Sequence, residues 1–233
     1  MPREKIERNI ELEFHDYTDE EEIILLDLRE RAKSILYLLE KNGIKAFVHG
    51  SLARGDIHQT SDIDIYIPIQ IPSFRIDLMD EFVNADRHII MGTPNSMIKG
   101  VLVKHERVSI SFPLSSPKER ESEFFKFSGL VHLDDLSHEK RVAGVNKKLF
   151  LIEPEEGGYW VSSVLENKRR AIEVLGLSQQ IIDERIRVLE RRDAIGRTGI
   201  FIDYLLLPDE NFEQALKKIT DKNALVRRKL KRN

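Results

Sequence analysis

Two aspartates, Asp62 and Asp64, lie in a segment of alternating polar and apolar residues at 62–67. Such alternation predicts a β-strand that turns Ile63 and Ile65 to the core and both carboxylates to the other side, about 7 Å apart at Cα. Two neighbouring like charges are costly unless a cation lies between them. Since oxygen ligands select hard cations and the chain has no cysteine, we expect Mg²⁺ or Mn²⁺.

Gly50 and Ser51 follow a predicted strand at 44–49 and precede a predicted short helix or turn at 52–57. Glycine at the end of a strand lets the backbone approach a ligand closely. The N-terminus of a helix favours an anion, to which Ser51 would add a hydroxyl and Arg54 a charge. A phosphate site beside a metal site is what phosphoryl or nucleotidyl transfer requires.

Gly50-Ser51, ten intervening residues and then Asp62-Ile63-Asp64 on an apolar strand resemble the signature of the polymerase-β-type nucleotidyltransferase superfamily, in its archaeal type. The motif lies within residues 48–67, and the looser resemblance extends over about 20–113. The resemblance implies a mixed sheet with helices, a nucleoside triphosphate donor and Mg²⁺. It also implies that Gly50 and Ser51 hold the triphosphate and that Asp62 and Asp64 bind metal and are catalytic.

Active members of that superfamily usually carry a third carboxylate on a neighbouring strand, as general base or metal ligand. The best candidate strand, at 108–112, has Ser109 and Ser111 on the face where an acid is expected. Glu106 has the wrong parity unless a bulge re-aims it. Asp77, Asp80 and Asp86 are better explained as surface residues. The sequence therefore leaves open whether the site is catalytic.

The elements around this motif predict an α/β (α+β) protein, with helices at 19–42 and 73–84 and further strands between 87 and 112. We expect two domains: a nucleotidyltransferase-like mixed sheet with an N-terminal helix at 1–153, and a smaller, mainly helical, winged-helix-like domain at 159–233. Their predicted linker is the Glu-Pro-Glu-Glu-Gly-Gly segment at 153–158.

Residues 168–187 are similar to a helix-turn-helix, with Gly176 at the turn and Ser178 as the N-cap of the second helix. Residues 191–199 would then form a basic wing, and we expect a strand pair around 194–207. Several polar side chains could reach bases or phosphates. The predicted nucleic-acid contacts are Gln179, Gln180, Arg185, Arg187 and Arg197. A plain helical hairpin remains the alternative.

The formal net charge of −3 divides unevenly along the chain. Residues 165–233 carry 16 basic and 11 acidic residues, a net charge of +5, which leaves −8 for residues 1–164. A basic C-terminal part favours binding of a polyanion such as RNA or DNA. Solvated helix faces would give the same charge pattern. No apolar run is long enough to span a bilayer and no signal peptide is visible, so we expect a cytoplasmic protein.

The main hypothesis is a Mg²⁺-dependent nucleotidyltransferase that transfers a nucleoside monophosphate from a triphosphate to an acceptor hydroxyl. The acceptor is left open between a nucleic acid, a protein side chain and a small molecule, and the basic C-terminal part favours a nucleic acid. A second hypothesis is a non-catalytic, nucleotide-binding regulator that reads DNA through residues 168–199. A third is a regulatory or antitoxin-like partner of another protein. Oligomeric state and the choice of triphosphate are not indicated.

Overall fold

The structure is a computed structural model that describes residue 6 and residues 12–104, 107–117, 119–196 and 199–231. The chain divides into two compact units, each built from two separate stretches. The first unit comprises Met1–Ile63 and Ser122–Thr198, and the second comprises Asp64–Glu121 and Gly199–Asn233. Within the described residues, no helix has the length and apolar character needed to cross a membrane.

Helices and strands are mixed along the chain, which confirms the expected combination of α and β structure. In chain order the elements are β1 (Glu13–Asp16), α1 (Asp19–Lys41), β2 (Phe47–His49), α2 (Ser51–Arg54), β3 (Ile63–Tyr66), α3 (Phe74–Asp77), a 3₁₀ turn (Asp80–Phe82), β4 (Asp86–Met91), β5 (Lys99–Lys104), β6 (Val108–Pro113), α4 (Glu119–Phe127), β7 (Leu130–Val131), α5 (Leu133–Ser137), β8 (Gly144–Val145), β9 (Phe150–Glu155), β10 (Gly158–Ser163), α6 (Lys168–Leu175), α7 (Gln179–Ile195), β11 (Ile202–Leu205), α8 (Phe212–Lys222) and α9 (Ala224–Lys231).

Helix α1 begins at a capping box, in which Thr18 accepts from the Glu21 amide and the Glu21 side chain accepts from the Thr18 amide. Its buried apolar side chains recur at helical spacing, and they are Leu25, Leu28, Ala32, Ile35, Leu36 and Leu39. Ile23 and Leu26, whose spacing also suits an apolar stripe, are 67% and 54% exposed. The buried face is therefore set by the six residues from Leu25 onward.

The first unit contains a four-stranded sheet of order β1-β10-β9-β8, and β2 pairs with β7 antiparallel. The α6–α7 hairpin is not separate from this sheet, because both share one apolar cluster. The cluster joins residues of α4, of the β8–β9 region and of the hairpin, and its members include Phe127, Val145, Leu151, Ala171, Ile182 and Leu189. Burial of such side chains fixes the hairpin on the sheet.

In the second unit the strands follow the order β11-β4-β5-β6-β3. Strands β4, β5 and β6 are antiparallel neighbours, and β11 pairs antiparallel with β4. Helix α8 packs on this sheet through Phe212, whose ring meets that of Phe112 edge to face with a centroid separation of 5.1 Å. Gly100 lies opposite Phe112 in the β5–β6 register and leaves room for that ring.

This division differs from the predicted boundary at residues 153–158. The expected linker is the turn of the β9–β10 hairpin, in which Glu155 pairs with Gly158. Residues 159–198 belong to the first unit and residues 199–233 to the second. Residues 191–195 continue α7, and β11 pairs with β4, so the described residues form no separate wing after α7.

Replacing Gly100 tests the packing of the second unit. A Cβ atom at Gly100 would lie 2.5 Å from the Phe112 ring, so we expect Gly100→Ala to lower the free energy of unfolding by about 1–3 kcal/mol. Urea unfolding followed by circular dichroism measures the change. Gly199→Ala is the matched control, because its Cβ would meet nothing within 4 Å. Equal stability of the two variants would contradict the packing argument.

Candidate nucleotide and metal site

Asp62 directly precedes β3 and Asp64 lies within it, separated by the single residue Ile63. Ile63, Ile65 and Ile67 are completely buried, whereas Asp62 is exposed and Asp64 is partly exposed. The predicted alternation is therefore present at this end of the strand. The alternation ends at Tyr66, which is 1% exposed although its position in the pattern predicts an outward side chain.

Gly50 and Ser51 form the junction between β2 and the single turn of helix α2. Gly50 has φ 84° and ψ −148°, a conformation that is essentially restricted to glycine. Its carbonyl oxygen accepts hydrogen bonds from the amides of Ala53 and Arg54. The sharp turn therefore depends on glycine at position 50, as a close backbone approach would require.

Ser61 connects this turn to the acidic strand. It is not among the site residues expected from the sequence. Its side chain is buried and accepts a 2.9 Å hydrogen bond from the His58 amide. The Ser51 hydroxyl lies 3.5 Å from the Ser61 hydroxyl, at the limit of a hydrogen bond. Because Ser61 directly precedes Asp62, it fixes where the chain enters β3 relative to Ser51. The sequence feature that could have indicated Ser61 is its position between a loop and the Asp-Ile-Asp strand.

Arg54 lies within the first unit instead of facing solvent, and it is 4% exposed. Its guanidinium pairs with Asp56 through Nε–Oδ1 and Nη2–Oδ2 distances of 2.9 Å, and Nη1 donates to the Ser128 carbonyl oxygen at 2.6 Å. Its stem passes close to Gly129 and Gly144, where added Cβ atoms would lie 2.8 Å from it. Arg54 therefore holds the loop after α2 in place.

In the second unit, Asp64 accepts a 2.6 Å hydrogen bond from the Ser109 hydroxyl on β6. Ser109 thus occupies the position beside Asp64 where the superfamily resemblance predicts an acid. Ser111, two residues further along β6, donates to the Ile65 carbonyl oxygen at 3.3 Å. The hydroxyl of Ser109 fixes the orientation of the Asp64 carboxylate but adds no negative charge.

The charge of Asp64 acts on a lysine of β5, the strand that pairs with β6. Burial lowers the pKa of the partly exposed Lys99, and the negative charge of Asp64 opposes that decrease. Neither the residue composition nor the spacing of the motif indicates this lysine. The β5–β6 pairing is a long-range feature that the sequence pattern alone does not define.

The chemistry of the acid pair fits Mg²⁺ or Mn²⁺, because both side chains offer carboxylate oxygens and Mg²⁺ is commonly held by one or two carboxylates together with phosphate oxygens and water. In the described ranges, no group of three or more histidine, aspartate or glutamate side chains could together hold a metal ion. Asp77, Asp80 and Asp86 therefore do not complete such a group. Glu106 lies outside the described residues.

The residues predicted to contact nucleic acid have different surroundings. Gln179, Gln180 and Arg187 are exposed on α7, whereas the Arg185 guanidinium packs over the Phe124 ring at 4.4 Å from its centroid. Burial lowers the pKa of Arg185 to about 10. Arg185 is thus largely engaged in packing, and Arg197 lies outside the described residues.

Comparison with protein families supports the interpretation of the Gly50-Ser51 and Asp62-Ile63-Asp64 motif as part of a nucleotidyltransferase domain. Residues 27–106 match the family model for the nucleotidyltransferase domain, which supports placing this part of the chain in the nucleotidyltransferase superfamily. The matched range contains Gly50, Ser51, Asp62 and Asp64, and it covers less than half of the chain. No curated protein and no solved structure gave a significant match.

Removing the Arg54 guanidinium tests its role in holding the loop. Arg54→Met leaves the Asp56 carboxylate, 10% exposed, without its partner, so we expect a loss of about 3 kcal/mol in the free energy of unfolding. Lys33→Met is the control, because Lys33 forms an exposed ion pair with Glu30 and should cost less than about 1 kcal/mol.

Urea unfolding of both variants gives the comparison. The double variant Arg54→Met/Asp56→Leu should recover part of the loss, since no buried charge is then left unpaired. A cost for Arg54→Met no greater than that for Lys33→Met would show that the ion pair does not stabilise the loop.

Proposed function

We propose that the chain is a Mg²⁺-dependent nucleotidyltransferase that transfers a nucleoside monophosphate to an acceptor hydroxyl. The observation that carries the proposal is the family match over residues 27–106, together with the burial pattern of β3 inside that range. Fully buried isoleucines on both sides of Asp64 direct its carboxylate away from the core, and Asp62 is exposed one residue before β3.

In this proposal, Asp62 and Asp64 hold the divalent cation, and Gly50 and Ser51 bind the triphosphate. The cation, when bound, neutralises charge on the phosphate oxygens. Ser109 keeps the Asp64 carboxylate in one orientation through its 2.6 Å hydrogen bond. The acceptor oxygen attacks the α-phosphorus while its proton passes to water, the bond from the α-phosphorus to the bridging β-phosphate oxygen breaks, and pyrophosphate leaves. Arg54 is a positioning residue for the loop that leads to the acidic strand.

We further propose that the acceptor is a nucleic acid. Helices α8 and α9 carry several exposed cations, namely Lys217, Lys218, Lys222, Arg227, Arg228 and Lys231. Lys218 is paired with Glu210, and Lys229 turns inward to donate to the Asn95 and Ser96 carbonyl oxygens. Exposed cations on two successive helices favour contact with phosphates.

The exposed residues of α7 form the second part of the proposed nucleic-acid contact. Gln179, Gln180 and Arg187 keep this role, whereas Arg185 stabilises the packing of α7 on Phe124. Cations at the start of α6 contribute less free charge, because Lys168 pairs with Asp183 and Arg170 with Glu153. DNA or RNA binding by the α6–α7 hairpin therefore depends on α7, because the described residues form no wing after it.

Nucleotide transfer is tested with purified protein, Mg²⁺, each radiolabelled triphosphate, and RNA, DNA or protein acceptors. We expect Asp62→Asn and Asp64→Asn each to lower transfer at least about 100-fold, because the proposed metal ligands act only when charged. Asp86→Asn is the matched control, since Asp86 is an exposed aspartate on a strand and should keep full activity.

The pattern of losses decides between the proposals. Transfer that survives in both aspartate variants would refute the metal site. No transfer to any acceptor by the wild type, together with specific binding of duplex DNA, would refute the enzyme and favour a nucleotide-binding regulator.

Polyanion binding is tested by fluorescence anisotropy with labelled RNA and duplex DNA at several salt concentrations. Lys222→Gln/Arg228→Gln should weaken binding about tenfold and reduce the slope of log K against log salt by about two, because two phosphate contacts are lost. Gln179→Ala/Arg187→Gln reports on α7 in the same way. Lys33→Gln, on α1, is the control. Unchanged affinity in both double variants would exclude these surfaces.

A further inference from the structure

Helix α1 carries a second stripe of side chains, on the side that faces away from its buried face. Three large apolar members of this stripe, Ile23, Leu26 and Tyr37, are 67%, 54% and 62% exposed. The stripe, which we call the outer seam, consists of Ile23, Leu26, Glu30, Lys33, Tyr37 and Glu40. Its alternating steps of three and four residues are those of the a and d positions of a coiled coil. Such a seam is typical of a helix that packs along a second helix.

The charges of the outer seam determine the direction in which a second copy of α1 fits on it. Glu30 and Lys33 lie at its centre, with Leu26 before them and Tyr37 after them. A parallel copy would put Glu30 against Glu30 and Lys33 against Lys33. An antiparallel copy, related by a two-fold axis between Glu30 and Lys33, puts each opposite the other and puts Leu26 opposite Tyr37. The seam is therefore complementary to itself in the antiparallel direction.

The two ends of α1 favour the same direction. Its first turn carries four acidic residues, Asp19, Glu20, Glu21 and Glu22, whereas Lys41 lies in its last turn. Parallel copies would bring two acidic first turns together, which like charges disfavour. Antiparallel copies separate the acidic turns by about 30 Å, the length of α1, and bring each one towards the end of the other helix that carries Lys41.

We propose that the outer seam binds a second copy of this chain, with the two α1 helices antiparallel. Leu26 of each copy packs on Tyr37 of the other, on both sides of a central group formed by Glu30 and Lys33 of the two copies. Glu30 and Lys33 already form an ion pair within one chain, so the charges set the direction of pairing more than they add affinity. The apolar contacts are few, and we expect a dissociation constant of about 10–100 µM. The proposal does not depend on the proposed function.

Sedimentation equilibrium of the full chain over a range of protein concentrations measures the association. We expect a monomer–dimer equilibrium that Leu26→Ser/Tyr37→Ser weakens at least about tenfold, because the apolar contacts on both sides of the two-fold axis are lost. Both side chains are exposed, so circular dichroism should show an unchanged fold. Leu78→Ser is the matched control, since Leu78 is 77% exposed in the second unit and should leave the association unchanged.

Exchanging the central charges tests the direction of pairing. Glu30→Lys alone and Lys33→Glu alone each put like charges opposite one another, so each variant should associate at least about tenfold more weakly. A mixture of the two variants restores opposite charges at both central positions, and it should form a dimer with an affinity close to that of the wild type. The double variant Glu30→Lys/Lys33→Glu should also dimerise by itself.

The register is tested by disulfide formation, for which the chain has no cysteine of its own. A mixture of Leu26→Cys and Tyr37→Cys chains should form a mixed disulfide under mild oxidation, because the two positions face each other. Each variant alone should remain unlinked, since its two thiols would lie eleven residues apart, about 16 Å along the helices.

Three results would each overturn the proposal. The first is a wild-type chain that sediments as a monomer at all concentrations. The second is a dimer that neither the Leu26→Ser/Tyr37→Ser variant nor the single charge variants weaken, which would place the contact on another surface. The third is a disulfide that forms in the single cysteine variants but not in their mixture.

Discussion

The buried ion pair between Arg54 and Asp56 is the constraint on which the proposed site depends. A guanidinium and a carboxylate removed from water must remain paired, and these two also bind the Ser128 carbonyl oxygen and the Asn146 side chain. The pair therefore ties the loop after α2 to the later part of the first unit. Gly50 and Ser61 lie at the two ends of the segment that this contact holds, so the glycine turn and the entry to β3 keep fixed positions.

Local patterns predicted the parts of the site that are built from consecutive residues. The alternation around Asp62 and Asp64 and the glycine at position 50 follow from strand periodicity and backbone sterics, which act within a few residues. The α6–α7 hairpin around Gly176 was predictable for the same reason, since Gly176 adopts φ 60° at the end of α6. The range that matches the nucleotidyltransferase domain, residues 27–106, also contains this local motif.

Features that depend on distant pairing were not predictable in this way. The segment at 153–158 has the composition of a linker, yet it forms the tight turn of a hairpin because β9 and β10 pair on both sides of it. Arg54 has the charge to bind phosphate, but Asp56 and Ser128 engage it within the first unit. Lys99 shares a sheet face with Ser109 only through the β5–β6 register, which spacing along the chain does not define.

The second unit is assembled from stretches that lie far apart in the sequence, because β11 pairs with β4 and Phe212 packs on Phe112. During synthesis on a ribosome, strands β3 to β6 emerge long before these partners. Until then β4 has an unpaired edge, and the apolar surface around Phe112 lacks its cover. Unpaired edges and uncovered apolar surfaces invite wrong association. The nascent chain therefore carries an incomplete second unit from the synthesis of β6 until that of β11 and Phe212, and a chaperone could bind at that stage.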